Sequence, residues 1–286
     1  MGSHLTIKSP LKVNTDKLVL KTRTIDFPNR TLIMGILNAT PDSFSDGGNY
    51  TDLSRAMEQV KHMLAANVDI IDVGGESTRP GFAPVPLETE LNRVIPVIKA
   101  IREFSDVPIS IDTYKAETAR QAIKAGADII NDVWGAKADP DMAHVAAEFN
   151  VPIILMHNRK NKNYSDLIED MKKDLLESIE LVKAAGVTDD KIILDPGIGF
   201  AKTYEDNLNV MDRLEAFHAL GYPILLGTSR KTFIGQTLGQ EVHDRMEGTG
   251  ATVCLGIAKG VQIVRVHDVG PIGKMVRMMD AMVKRD

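Results

Sequence analysis

From about residue 31 to the end of the chain one pattern recurs eight times: a short aliphatic run, then an amphipathic stretch of helical period. The runs span 32–37, 69–73, 108–111, 128–131, 152–156, 191–194, 223–226 and 262–266. They are apolar almost without interruption, as strands covered on both faces of a parallel sheet must be. Between them lie helical stretches such as 53–66, 88–104, 115–125, 167–185 and 204–220. Gly126, Gly186 and Gly221 stand where those helices should stop, because a left-handed cap favours glycine. Strict alternation without a long linker predicts an α/β fold of the (β/α)8 or TIM-barrel type, with an open doubly wound sheet as the alternative. Residues 5–30 fall outside the repeat, and the runs 18–20 and 24–26 predict a short N-terminal β-hairpin. The chain therefore divides into an N-terminal segment with its hairpin, 1–30, and a barrel, 31–286.

Composition narrows the function classes. With 286 residues, 43% of them hydrophobic, the chain can bury a large core. A net charge of -5 with both signs interleaved argues against a nucleic-acid surface but leaves room for a local basic pocket. No charged leader precedes an apolar run, and no segment approaches a membrane span, so a cytoplasmic protein is expected. The lone Cys254 cannot form an internal disulfide and reads as a buried helix residue. Met275, Met278, Met279 and Met282 form a stripe at helical spacing, which suits either core packing or a subunit interface.

In a barrel of this kind the chemistry belongs on the loops that follow the strands. Those positions hold Asn38, the run 72–81, Asp112, Asn131 with Asp132, Met156 with His157 and Asn158, Asp195, the run 227–231, and Arg265 with His267 and Asp268. One Asp or Asn after a strand usually caps the next helix, but capping does not place cations. Lys231, Arg265 and His267 after the last two strands point to a phosphate or pyrophosphate. Asp112, Asn131 and Asp195 need a different role, because carboxylates repel a phosphate; two carboxylates and an amide suit a flat heterocycle rich in N–H donors, such as a pterin. Metal binding is the rival for these residues, although only His157 and His267 add imidazoles and no paired-histidine spacing occurs. The long Gly/Pro/Ser-rich loops after strands one and two, with Phe44 and Phe82, read as a lid or as plain surface turns.

At these same residues the chain resembles the dihydropteroate synthase family. The motifs are MGILNATPDSFSDGG at 34–48, DIIDVGGESTRPG at 69–81, SIDTYKAE at 110–117, INDVWG at 130–135, LDPGIGFAKT at 194–203, GTSRKTFIG at 227–235 and VRVHDV at 264–269. The resemblance implies that Asp112, Asn131, Met156, Asp195, Phe200, Gly227 and Lys231 hold a pterin ring. It implies that Asn38, Thr78, Arg79, Arg265 and His267 engage a diphosphate, Asn38 also standing near a Mg2+ cofactor. Phe44, Thr78, Pro80, Lys231 and Thr232 would line the p-aminobenzoate site, and Asp46, Asp112, Lys231 and Arg265 would carry catalysis. Family members often have Ser where this chain has Thr232, which bears on sulfonamide competitors as well as on aminobenzoate. The implied reaction joins 6-hydroxymethyl-7,8-dihydropterin diphosphate to p-aminobenzoate with loss of pyrophosphate. The implied partners are those two small molecules and a second copy of the chain in a homodimer, with neither nucleic acid nor membrane. A methyltetrahydrofolate-dependent methyltransferase or a non-catalytic pterin-binding paralogue would share the ring pocket. The methyltransferase has no need of a diphosphate site, so Arg79, Lys231, Arg265 and His267 favour the synthase, and the polar residues kept in both lid loops argue against the paralogue.

Overall fold

The aliphatic runs form eight parallel strands in the computed structural model, which describes residues 15–20, 23–27, 30–39, 49–76 and 84–283. After a hairpin of β1 (Lys17–Val19) and β2 (Thr24–Asp26) come β3 (Leu32–Asn38), β4 (Ile70–Gly74), β5 (Ile109–Asp112), β6 (Ile129–Asp132), β7 (Ile153–Met156), β8 (Ile192–Asp195), β9 (Leu225–Leu226) and β10 (Ile263–Val266). Their spatial order is β8-β7-β6-β5-β4-β3-β10-β9. A parallel bridge between Leu194 and Ile224, with Leu194 N–H donating to Pro223 O at 2.9 Å, joins the two ends. That bridge excludes the open sheet, and the expected barrel with its N-terminal hairpin is the architecture observed.

The outer ring consists of α1 (Asn49–Ala65), α2 (Leu87–Arg102), α3 (Ala116–Ala125), α4 (Met142–Phe149), α5 (Leu167–Ala184), α6 (Tyr204–Asp212), α7 (Thr232–Leu238), α8 (Met246–Ala258) and α9 (Val269–Val283). The helix expected over 204–220 divides: Arg213 leaves helical geometry, and Leu214–Leu220 winds as a 3-10 helix. Its buried Leu214 and Phe217 are three residues apart, a spacing that a three-residue turn serves as well as an α-helix. Gly126, Gly186 and Gly221 take positive φ as expected.

Side chains sort by the period of two along each strand. Ile33, Ile71, Ile109, Ile111, Ile130, Ile153, Leu155, Ile192, Leu194, Val264 and Val266 join the helices in one large core. The alternate positions face the barrel axis, and at the N-terminal end they are also aliphatic. There Leu32, Met34, Ile70, Ile129, Ile154, Ile193, Leu225 and Ile263 form a second cluster with Leu18, Leu20, Ile25 and Phe27 of the hairpin region. The hairpin is thus a plug that keeps water out of the barrel floor, and Lys191 Nζ fastens it to Val19 O at 2.8 Å.

Two surface features differ from expectation. Cys254 is half-buried rather than buried, because its turn of α8 borders a groove instead of the core. The methionine stripe splits: Met275 and Met279 pack on the core, whereas Met278 and Met282 are 59% and 45% exposed. Among the described residues no helix is long and apolar enough to cross a membrane.

Candidate active site

Toward the C-terminal ends of the strands the axis-facing set turns polar. Asp72 and Gly74 of β4 stand beside Ser110 and Asp112 of β5, and Asp112 is in register with Asn131 of β6. Met156 of β7 is in register with Asp195 of β8, and Arg265 of β10 sits beside Met34 of β3. Asn38 ends β3, half-buried at the rim. Five of the strands, β3, β4, β5, β6 and β8, end one residue later than the apolar runs suggest, and Asp112, Asp132 and Asp195 are among the residues so added. Hydropathy truncates them because it scores a carboxylate as a loop, whereas here the barrel interior supplies partners.

Arg265 organises the centre. Its Nε donates to Asp72 Oδ2 at 2.6 Å and its Nη2 to Asp112 Oδ2 at 2.6 Å, so one guanidinium bridges two buried carboxylates. Asn131 Nδ2 donates to Asp72 Oδ2 at 3.2 Å. The other oxygen of Asp112, Oδ1, is buried yet has no hydrogen-bond partner among the described residues. Burial pushes the Asp112 carboxyl up to about 7, opposed by Arg265 and reinforced by Asp72. Asp195 is raised by burial against the pull of Lys231, and its Oδ1 accepts from Gly197 N–H at 2.7 Å.

Lys231 precedes α7 and reaches back across the mouth, donating to Ile198 O with its ammonium 4.8 Å above the Phe200 ring. Burial lowers its ammonium to about 8, Asp195 holding it up and Arg265 adding to the fall. His267 Nδ1 meets Ser229 Oγ at 2.9 Å. A Cβ built on Gly227 would lie 3.7 Å from Asp195 Oδ2, so a methyl fits the apoprotein but would occupy floor space between Asp195 and Arg265. Thr232 is exposed on the first turn of α7. Phe44, Asp46, Thr78, Arg79 and Pro80, and with them the lid reading, lie outside the described residues.

The fold therefore collects Asn38, Asp112, Asn131, Met156, Asp195, Gly227 and Arg265 on one inward period, with Lys231 and Phe200 over it. Sequence reasoning passed over Asp72 as a site residue; its signal was the inward register two residues before Gly74. It also left Lys202, Asp174 and Arg159 without a role. Asp132, one residue beyond Asn131, faces the other way and accepts from the backbone N–H groups of Trp134 and Ala136 at 2.8 and 2.7 Å. His157 meets Asp174 and Lys202 rather than the mouth, and among the described residues no group of three acidic, His or Cys side chains could hold a metal.

An acidic and amide pocket under a cationic rim, at the C-terminal end of a closed parallel barrel, defines the class: a barrel enzyme whose mouth takes a polar ring together with an anionic group. A family model described as pterin binding enzyme matches residues 34–267. The chain is 59% identical to the dihydropteroate synthase of Bacillus subtilis over 271 residues, 95% of each chain. Among solved structures it resembles a dihydropteroate synthase of Clostridium difficile determined with pteroic acid, at TM-score 0.90 and 50% identity, covering 91% of this chain and 100% of that one. It likewise resembles the Xanthomonas albilineans dihydropteroate synthase with 4-aminobenzoic acid, at TM-score 0.90 and 37% identity, covering 94% and 98%. The chain belongs to the pterin-binding enzymes and, within them, to the dihydropteroate synthase family.

Proposed function

We propose that the barrel mouth condenses 6-hydroxymethyl-7,8-dihydropterin diphosphate with p-aminobenzoate, giving 7,8-dihydropteroate and pyrophosphate. The observation that carries this reading is the buried, unpartnered Oδ1 of Asp112 next to Asn131. An acceptor taken out of water costs free energy until a donor reaches it, and the ring N–H groups of a pterin supply donors. Asp195 on the opposite wall accepts in the same way, and Lys231 closes the pocket over Phe200.

In this scheme the bond between the pterin methylene carbon and the diphosphate oxygen breaks first, the electron pair leaving with the diphosphate. The arylamine nitrogen then forms the new bond to that carbon and loses a proton. Asp112 and Asp195 stabilise the positive charge that spreads over the ring, and Lys231, His267, Arg79 and Arg265 accommodate the anion. Arg265 does so from within its bridge to Asp72 and Asp112, so its charge is fixed in place before substrate arrives. Positioning of two substrates and exclusion of water carry the remainder.

The amide oxygen of Asn38 is a hard donor at the rim and fits Mg2+ as a single protein ligand, since this ion commonly keeps water and takes substrate phosphate oxygens for the rest of its shell. When bound there, the ion neutralises charge on the leaving diphosphate. The homodimer implied by the family would use the groove of α8 and α9 lined by Cys254, Lys274, Met275, Met278, Met279 and Met282. The lone thiol suits a reducing, cytoplasmic setting.

The test is pyrophosphate release from the pterin diphosphate, followed with and without p-aminobenzoate and Mg2+. Release and dihydropteroate formation are expected only when both are supplied. Folded protein that releases no pyrophosphate under any of these conditions refutes the assignment.

A further inference from the structure

The loop between β8 and α6, residues 196–203, is wound around a cation that the reaction scheme does not use. Gly197, Gly199 and Ala201 take positive φ of 68°, 85° and 48°, so left-handed residues alternate through the loop. The winding turns two of its carbonyls onto one ammonium: Lys202 Nζ donates to Gly197 O at 2.9 Å and to Phe200 O at 3.0 Å. A third bond runs to His157 Nδ1 at 3.0 Å. Lys202 is 5% exposed, and all three of these partners are uncharged.

The carboxylate of Asp174 lies one imidazole away. Since His157 Nδ1 accepts from Lys202, Nε2 carries the ring proton and donates to Asp174 Oδ2 at 2.9 Å. Burial lowers the His157 imidazole to about 4, against the Asp174 bond, so the ring is neutral at working pH. Arg159 clamps both oxygens of Asp174, its Nε donating to Oδ2 and its Nη2 to Oδ1 at 3.1 Å. Burial also draws the Lys202 ammonium down to about 7, with Asp195 and, less strongly, Asp206 and Asp174 holding it up.

The same eight residues touch one wall and the cover of the candidate ring pocket. Gly197 N–H donates to Asp195 Oδ1 at 2.7 Å, Ile198 O receives Lys231, and the Phe200 ring lies under the Lys231 ammonium. Tyr164 Oη and Asn207 Oδ1 pin the outer side at Ala201 O and Gly199 N–H, 2.8 and 2.6 Å. A Cβ on Gly197 would fall 2.0 Å from His157 O, so the loop cannot shift toward β7. What remains is the inner side, where Lys202 Nζ holds Phe200 O and shares Gly197 O with Phe200 N–H at 3.1 Å.

We propose that Lys202 is a positioning residue: its ammonium, linked through His157 to Asp174, templates the β8–α6 loop and thereby sets Lys231 and Phe200 for the ring. The identity of that ring rests on the function proposed above. Lys202→Met keeps much of the length and removes the charge. Its dissociation constant for 6-hydroxymethylpterin, measured by calorimetry, is expected to rise at least about ten-fold, and kcat/KM for the pterin diphosphate to fall by about the same factor. KM for p-aminobenzoate should change by a smaller factor, because among the described residues the loop meets that site at Lys231 alone, whereas it meets the ring pocket at Asp195, Lys231 and its own Phe200. In Lys202→Ala, propylammonium is expected to recover at least about five-fold of the lost pterin affinity, while the neutral isostere propanol recovers none. Should both variants fail to fold, Asp174→Asn removes the remote charge from outside the pocket and should still weaken pterin binding about three-fold or more. Folded Lys202→Met with unchanged pterin affinity overturns the proposal, as does equal loss for both substrates with no rescue by propylammonium, or unchanged affinity in Asp174→Asn. Wild-type protein that binds no pterin and releases no pyrophosphate overturns the functional reading as well; wild-type turnover with a silent Lys202→Met overturns the positioning role alone.

Discussion

Replacing Arg265 by Met should leave two carboxylates facing each other inside the barrel, and the cost should depend on pH. In the wild type the guanidinium lies 2.6 Å from both Asp72 and Asp112 oxygens, with its side chain 20% exposed. Each pair is worth on the order of 4 kcal/mol gross at an effective dielectric near 20, most of it offset by desolvation. Removing one partner is worse than removing the pair, because the buried charge stays behind, and breaking such contacts typically costs about 3–5 kcal/mol. For a chain of this size that corresponds to a fall in Tm of roughly 5–8 °C at pH 8. The pH dependence follows from Asp112. Its folded-state value of about 7 lies above the ordinary carboxylate range, so the folded chain gains a proton that the unfolded chain does not hold as pH falls through 7. Stability contributed by this group therefore rises on acidification from pH 8 to 5.5, and it should rise more in Arg265→Met, where nothing opposes protonation of Asp112. Thermal unfolding by circular dichroism at both pH values, on wild type, Arg265→Met and Arg265→Met/Asp112→Asn, separates the contributions. The loss at pH 5.5 should be less than about half that at pH 8, and the added Asp112→Asn change should restore most of it. An equal loss at both pH values, unrelieved by Asp112→Asn, would refute the uncompensated-charge argument.

Other perturbations read other parts of the molecule. Asp195→Asn should weaken pterin binding about ten-fold in calorimetry, because the amide brings a competing donor to a place that needs an acceptor. Gly227→Ala should fold with Tm within about 2 °C of wild type yet lose pterin affinity, since the added methyl meets no atom closer than 3.7 Å in the apoprotein but stands in the ligand's space. Phe27→Ala opens the plug beneath the barrel and should cost about 3–5 kcal/mol in urea unfolding, with little change in KM for either substrate. Met278→Glu/Met282→Glu places charge on the exposed face of α9 and should convert a dimer to a monomer in light scattering; unchanged mass would remove that face as the interface.

Much of the site was legible because a parallel barrel converts one-dimensional order into a ring. A polar residue at a strand's C-terminal end must face the mouth or cap a helix, and Asp112, Asn131 and Asp195 do the former. What decides between the two is the parity of the position, and parity is lost when strand ends are placed one residue early. Asp72, inside an apolar run, drew no role because its partners Arg265 and Asn131 are remote in sequence, and Asp132 shows the other outcome one residue from Asn131. Arg265 was legible as a cation at the rim, but not as the bridge between two carboxylates, because its partners are 193 and 153 residues away in sequence.

By itself the sequence determined the eight-fold alternation, the helix ends at its glycines, and the residue types at the mouth, because periodicity, left-handed caps and buried polar groups are local properties. Only the tertiary structure decided that the sheet closes, that the hairpin seals its floor, and which groups spend their charge on each other. Lys202 is the clearest case: the sequence places a lysine in a loop, where solvent would be its normal company. The fold surrounds that lysine with two carbonyls and a histidine ring, because the packing of the loop on β7 leaves its ammonium nowhere else to go.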